Sequence, residues 1–248
     1  MERDFLLSIF FGFCAGLFLS FFPGLALPYQ LAAGAAFLAP TALLVKPRGA
    51  AMAFIALILC IALNSALPQF KSMELQICIF FLGMSLMQKK ELDGMFLARL
   101  SGPKEILITA LHSVGLFIAM AAIVMLFGMM LILLGMPPDN SGVFQKIAGL
   151  PFYMIGVAVF LAPLGEEVLF RGFAAKRFGV LASSAIFALA HFAYGSYYEM
   201  AGTFLIGILL AVYLRRANNL AACIGAHMIY NFVTVFLLLF MGGQAGMA

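Results

Sequence analysis

The sequence has no tryptophan and very little charge. Only 10% of its 248 residues are Asp, Glu, Lys or Arg, whereas charged residues usually make up about 25% of a soluble domain. This scarcity excludes an ordinary soluble globular protein. The few basic residues form no arm and do not alternate with aromatic residues, so nothing in the sequence indicates nucleic-acid binding.

Cysteine is also scarce, with four residues that lie far apart inside apolar runs. No two of them have the CxxC spacing of a zinc knot, and their number and separation do not indicate a disulfide framework. We interpret them as small buried hydrophobic residues. They are Cys14, Cys60, Cys78 and Cys223.

Apolar residues dominate instead, at 65% of the chain, with a mean hydropathy of +1.12. Apolar runs of about 18 residues can cross the ~30 Å hydrocarbon core of a bilayer. The sequence therefore predicts an all-α fold, a polytopic membrane helix bundle of about eight or nine transmembrane helices. The candidate spans are 5–22, 28–45, 49–67, 74–88, 107–136, 149–177, 180–194, 199–214 and 220–241.

The basic residues indicate how the chain is oriented. With a cytoplasmic N-terminus and nine crossings, twelve Lys and Arg residues face the cytoplasm and two face the other side, as the positive-inside rule requires. The first apolar run has acids before it and no clear cleavage site after it, so it is predicted to be a membrane helix and not a signal peptide. Because no eukaryotic targeting extension is evident, we expect an integral protein of a prokaryotic plasma membrane.

The stretch APLGEEVLFRGF, residues 162–173, places Glu166, Glu167 and Arg171 inside one of these spans. Ionisable residues are expensive in a bilayer and usually mark a functional site. Glu167 and Arg171 have i,i+4 spacing and are expected to pair, which leaves Glu166 free to act as a general base. The remaining acids fall at expected helix ends or loops and are predicted to be solvated: Glu2, Asp4, Glu74, Glu91, Asp93, Glu105, Asp139 and Glu199.

Two histidines on other spans are predicted to reach a similar depth. Counted at 1.5 Å per residue from the expected cytoplasmic helix ends, Glu166, His191 and His227 lie about 16, 18 and 12 Å inside the membrane. Asn231 follows His227 at i,i+4 spacing. The two could therefore donate hydrogen bonds to a developing oxyanion.

Three motifs now resemble those of a known family. They are GEEVLFRG at 165–172, FALAH at 187–191 and HMIYN at 227–231. Their order and residues resemble the CPBP family, the type II CAAX prenyl proteases and bacteriocin-processing membrane proteins that are also called ABI. The resemblance covers about residues 150–241. Within one membrane domain, it divides the chain into N-terminal membrane helices, 1–147, and a catalytic helix core, 148–248.

The resemblance implies an intramembrane endopeptidase. Carried over from the family, Glu166 and His191 polarise a water, while His227 and Asn231 stabilise the tetrahedral intermediate. The implied partners are a peptide or protein substrate, either lipidated or membrane-borne, and the surrounding membrane lipid. The resemblance implies no required cofactor.

Three further residues receive supporting roles from the same resemblance. Glu167 with Arg171 would position the helix or the substrate, and Phe187 would pack behind His191.

Two other functions use the same residues. Glu166, His191 and His227 could ligate zinc in a metalloprotease, although the sequence has no HExxH motif to place two ligands on one helix turn. The chain could also be a non-proteolytic membrane scaffold or partner-binding protein. Loss of activity on chelation and recovery with zinc would identify the metalloprotease.

Overall fold

The computed structural model describes residues 3–20, 26–39, 47–67, 70–192 and 195–245. These residues are helical or in turns, with no strand among them, which confirms the predicted all-α fold. The predicted span 28–45 extends beyond residue 39, so its second part lies outside the described residues. The chain divides into two compact units, Met1–Leu86 and Met87–Ala248. The functional division at residue 147 remains a prediction.

The first unit is built around its first helix, α1, which packs against the third and fourth helices. Small residues allow the close approach: a Cβ on Gly12 would lie 2.6 Å from the Cβ of Ala56, and one on Gly16 would collide with the Cβ of Cys60. The helices of this unit are α1 Arg3–Leu19, α2 Leu27–Leu38, α3 Pro47–Ala66 and α4 Phe70–Leu86.

A glutamate is buried inside this first unit. Glu74 lies in the second turn of α4 and is fully buried, as are Cys60 and Phe70. The prediction that Glu74 is solvated at a helix end is therefore wrong. The reason is that α4 begins at Phe70, one turn earlier than the apolar run indicates, and this places the carboxylate inside the bundle.

In the second unit, α6 packs against α10 and α11, α9 packs on α10, and α8 packs on α11. Helices α9, α10 and α11 all contact the part of α8 that carries Glu167 and Arg171. The helices are α5 Lys89–Met95, a 3-10 turn Leu97–Leu100, α6 Pro103–Leu133, α7 Ser141–Ala148, α8 Phe152–Phe178, α9 Val180–Ala190, α10 Tyr197–Ala217 and α11 Leu220–Ala245.

Among the described residues, four helices are long and apolar enough to cross a membrane. They give the chain the character of an integral membrane protein, but the predicted eight or nine spans are not confirmed. Other apolar helices are shorter: α9 has 11 residues, which reach about 16 Å at 1.5 Å per residue. The four are Pro103–Leu133, Phe152–Phe178, Tyr197–Ala217 and Leu220–Leu239.

A hydrogen bond joins the loop before α7 to the start of α10. Ser196 is the N-cap of α10: its Oγ accepts a hydrogen bond from the Glu199 N–H at 3.1 Å and donates one to the Asp139 carbonyl at 2.7 Å. The Asp139 carboxylate in turn accepts a bond from the Ser141 N–H at 2.8 Å, which lowers the pKa of Asp139. These contacts fix the end of α10 that follows His191 in the chain.

Candidate active site

Helix α8 is not a uniform α-helix. Two π-helical segments, Val157–Leu161 and Glu167–Ala174, interrupt it, and the Ala162 N–H bonds the carbonyl of Val157, five residues back. Pro163 has no N–H to offer an α-helical partner, which favours a wider turn just before it. Single π-helical turns are rare and frequently lie at functional sites. The second segment here begins at Glu167 and contains Arg171, and Glu166 directly precedes it.

Glu167 and Arg171 form the ion pair that their spacing predicts. Arg171 Nε lies 3.2 Å from Glu167 Oε2, and both side chains are almost completely buried. The guanidinium also stacks on Phe187, with Cζ 3.9 Å from the ring centroid, where a cation is attracted to the ring. Phe187 and Glu167 together fix the plane and one edge of the guanidinium.

His227 lies between the two glutamates of α8. Its Nδ1 is 2.9 Å from Glu167 Oε1, and its Nε2 is 3.9 Å from Glu166 Oε2. An ionised carboxylate only accepts hydrogen bonds, so Nδ1 is the donor to Glu167. The second nitrogen therefore faces Glu166 across a distance too long for a direct hydrogen bond.

His191 is held at the end of α9 with a defined tautomer. Its Nδ1 is 2.9 Å from the carbonyl oxygen of Phe187, which can only accept, so a neutral His191 has its lone pair on Nε2. The Phe187 ring lies 4.8 Å from the His191 ring and 6.1 Å from the His227 ring, between centroids. Phe187 therefore contacts both imidazoles, including the one that it was predicted to support.

Asn231 is one turn beyond His227 on α11, but its side chain bonds the backbone of α8. Its Nδ2 donates to the carbonyl of Ala158 at 2.9 Å, in the first π-helical segment of α8. An amide nitrogen has two hydrogens, so this bond uses one of them. The role of Asn231 as an oxyanion donor remains a prediction.

No group of three His, Cys, Asp or Glu side chains suited to a metal ion occurs among the described residues. Zinc ligands at 2.0–2.2 Å in a tetrahedron lie about 3.4 Å from one another. Glu166 Oε2 and His227 Nε2, at 3.9 Å, are slightly farther apart than that. The donor types fit zinc, and a carboxylate that orients His227 through Nδ1 is compatible with a metal on Nε2.

A comparison with protein families now identifies this part of the chain. Residues 148–233 match the family model described as type II CAAX prenyl endopeptidase Rce1-like. The segment is Rce1-like. It spans about one third of the chain and contains every predicted site residue, and it confirms the family resemblance of the three motifs. Neither the curated proteins nor the solved structures gave a match.

One residue of the Rce1-like segment was not predicted to belong to the site. Glu199, in the first turn of α10, is partly buried and interacts electrostatically with both His191 and His227. The prediction that it is a solvated interface residue overlooks these neighbours. A signal was available in the sequence, because Glu199 begins the helix that directly follows His191 and so lies at the same end of the bundle.

The contact between Glu167 and His227 was not predicted either. It joins α8 to α11 across 60 positions of the chain, and the spacing within one helix cannot reveal it. The Rce1-like segment thus holds one connected polar group, in which Arg171 pairs with Glu167, Glu167 holds His227, and His227 faces Glu166.

Proposed function

We propose that the chain is an intramembrane endopeptidase in which the Rce1-like segment activates a water to hydrolyse a peptide bond. The observation that carries this proposal is the position of His227, fixed by Glu167 at 2.9 Å while its other nitrogen faces Glu166 at 3.9 Å. A polar group of this kind is costly within a membrane span and is expected at a functional site.

Glu166 and His191 are the proposed activators of the water. A water that hydrogen-bonds both Glu166 Oε2 and His227 Nε2 fits the 3.9 Å between these atoms. Glu166 accepts a proton from this water as its oxygen bonds to the carbonyl carbon. His191 assists through Nε2, since its Nδ1 is occupied by the Phe187 carbonyl.

His227 and Asn231 are the proposed donors to the oxyanion. When both of its nitrogens are protonated, His227 donates from Nδ1 to Glu167, and its Nε2–H moves from the attacking water to the oxygen that becomes negative. Asn231 contributes the amide hydrogen that its bond to Ala158 leaves over. The intermediate then collapses as the C–N bond breaks, and Glu166 returns its proton to the leaving amine.

Glu167 and Arg171 act as positioning residues in this scheme. Arg171 stabilises the negative charge of Glu167, and Glu167 orients the imidazole of His227. The arrangement resembles the way a carboxylate orients a catalytic histidine in other hydrolases.

The substrate is proposed to be a peptide or protein that reaches the site from the membrane, with lipidated C-terminal peptides as the first class to test. We would reconstitute the chain in lipid nanodiscs and offer a farnesylated peptide ending in a CAAX tetrapeptide, together with its unprenylated twin. In water enriched in ¹⁸O, mass spectrometry should find a new carboxyl terminus that carries the label.

Faster cleavage of the farnesylated peptide would show that the substrate is lipidated. Equal cleavage of the two peptides would show that the lipid is not required. If neither peptide nor a set of membrane-protein tails is cleaved, the chain is better described as a non-proteolytic partner-binding protein.

No metal is required in the proposed mechanism. Dialysis of the reconstituted chain against a chelator is therefore expected to leave kcat unchanged, as measured with whichever peptide is cleaved. Loss of activity that returns on adding zinc would instead assign Glu166, His191 and His227 as metal ligands.

A further inference from the structure

A small cavity lies where α8 and α10 end, and its charged lining is cationic. It has a volume of about 210 Å³, several times the ~30 Å³ that one water occupies in the liquid. Arg171, Lys176 and Arg215 line it together with Asn218, and none of the described lining residues is a carboxylate. Three positive charges around one cavity create a field that attracts an anion.

Arg171 provides the buried part of this lining and still has donors to offer. Its Nε edge pairs with Glu167 and its face stacks on Phe187. Its two terminal nitrogens, Nη1 and Nη2, are buried and have no hydrogen-bond partner in the described part of the chain. Buried donors without a partner are costly, so these two nitrogens indicate a missing acceptor. An acceptor could bind them without displacing Glu167.

Lys176 and Arg215 provide the outer part of the lining. Lys176 lies 3.8 Å from Glu91, which neutralises part of its charge. Arg215 is exposed and makes no ion pair with any described carboxylate. The cavity therefore keeps an excess of positive charge, to which Arg215 contributes most.

The position of the cavity limits what the anion can be. The candidate membrane spans that contribute to it end at Phe178 and Ala217, and both Lys176 and Arg215 lie two residues before those ends. Basic residues at the ends of membrane spans lie at the level of the lipid headgroups. An anionic group that is abundant at this level is phosphate.

We propose that this cavity is a phosphate-binding site, filled either by the phosphate of an anionic lipid headgroup or by free inorganic phosphate. The planar fork of a guanidinium suits the oxygens of a phosphate group, and a lysine adds a point charge. The site shares Arg171 with the polar group of the proposed peptidase, whereas Lys176 and Arg215 have no role in the peptidase chemistry. The phosphate binds in the cavity between Lys176 and Arg215, and the buried charge of Arg171 adds to the attraction.

The proposal can be tested by native mass spectrometry of the full chain in a nonionic detergent. Phosphatidylglycerol would be titrated against a diacylglycerol with the same acyl chains, and inorganic phosphate would be titrated separately. We expect one tightly bound phosphatidylglycerol per chain and no equivalent binding of the diacylglycerol. Competition by inorganic phosphate would identify free phosphate as a source, and its failure to compete would identify the lipid headgroup.

Arg215→Gln and Arg216→Gln form a matched pair of variants, because the two residues are adjacent and exposed but only Arg215 lines the cavity. Arg215→Gln and Lys176→Gln should each weaken binding about fivefold, which is the usual effect of one basic residue near a charged membrane surface. Arg216→Gln should weaken it less than about twofold.

Equal weakening by Arg215→Gln and Arg216→Gln would overturn the proposal, because it would indicate diffuse attraction to the surface. Binding of a peptide carboxylate in preference to both phosphate ligands would overturn it too. The measurement does not involve peptide cleavage, so its outcome is independent of the proposed peptidase activity. It also avoids variants of Arg171, whose buried ion pair could be needed for folding.

Discussion

Glu74 in the first unit and Glu167 in the second are equally buried, yet their surroundings differ. Both side chains are fully buried inside apolar helices. Glu167 lies 3.2 Å from Arg171 Nε and 2.9 Å from His227 Nδ1. Glu74 lies beside the backbone of Gly16, close to the thiol of Cys60.

The difference lies in the neighbours, because burial of a carboxylate does not by itself supply groups for charge stabilisation or proton transfer. Around Glu167, a cation, an imidazole and a second carboxylate offer charge stabilisation and proton transfer. The cluster that contains Cys60 is otherwise formed by phenyl rings, aliphatic side chains and other thiols. The Rce1-like match agrees, since residues 148–233 include Glu167 and exclude Glu74.

The largest expected effect is on catalysis, from removing either imidazole of the polar group. His191→Ala and His227→Ala should each lower kcat about 10³-fold, because each removes a group that transfers a proton or stabilises the oxyanion. The kinetics of peptide cleavage by the reconstituted chain would measure this loss. His112→Ala is the matched control, because His112 is exposed, bonds Tyr213 and lies outside the Rce1-like segment. Comparable losses in all three variants would contradict the assignment.

Removing the cation would test whether charge stabilisation distinguishes the two glutamates. Arg171→Met leaves Glu167 buried without its cation and should lower the free energy of unfolding by about 3–5 kcal/mol. Unfolding of the purified chain by titration with a denaturing detergent would measure it. The double variant Glu167→Gln with Arg171→Met should recover most of the loss, since no buried charge is left uncompensated. A double variant as unstable as the single one would mean that Arg171 acts through packing on Phe187.

The amide at the edge of the polar group should matter less than the imidazoles. Asn231→Ala should lower kcat on the order of 10²-fold, which is typical for the loss of one oxyanion donor. It should leave KM nearly unchanged, because the bond forms mainly in the transition state. A rise in KM with constant kcat would instead assign Asn231 to substrate binding or to the packing of α11 on α8.

The smallest expected effect is on stability, from adding a methyl group at a tightly packed glycine inside each unit. A Cβ on Gly16 would collide with Cys60 and lie 2.9 Å from Glu74 Oε1, whereas a Cβ on Gly172 would lie 2.7 Å from the flexible Met87 side chain. Overpacking against fixed atoms costs about 1–3 kcal/mol, so Gly16→Ala should lower thermal stability more than Gly172→Ala. Melting temperatures of the two variants, read by intrinsic tyrosine fluorescence, would check this order. The reverse order would show that Met87 is held rigidly.

Features within a single helix were predictable from the sequence, and those between helices were not. The pair of Glu167 with Arg171 follows from i,i+4 spacing, and the all-α membrane fold follows from composition. The bond from Glu167 to His227 joins two helices 60 residues apart, which no local pattern records. Glu74 was misplaced because apolar runs locate helix ends only to within a turn, and one turn decides whether a carboxylate is buried. Glu199 does lie at a helix end, as predicted, but its interactions with His191 and His227 join different helices.

The most direct test of the central claim compares two isosteric substitutions, Glu166→Gln and Glu74→Gln, in the reconstituted chain. Each replaces one buried carboxyl group by an amide with almost no change in volume. The account predicts that Glu166→Gln lowers kcat for peptide cleavage about 10³-fold with little change in melting temperature, as expected for the loss of a general base. It also predicts that Glu74→Gln leaves kcat within about twofold of the unmodified chain, the expected result for a residue outside the chemistry. Full activity in Glu166→Gln would contradict the account.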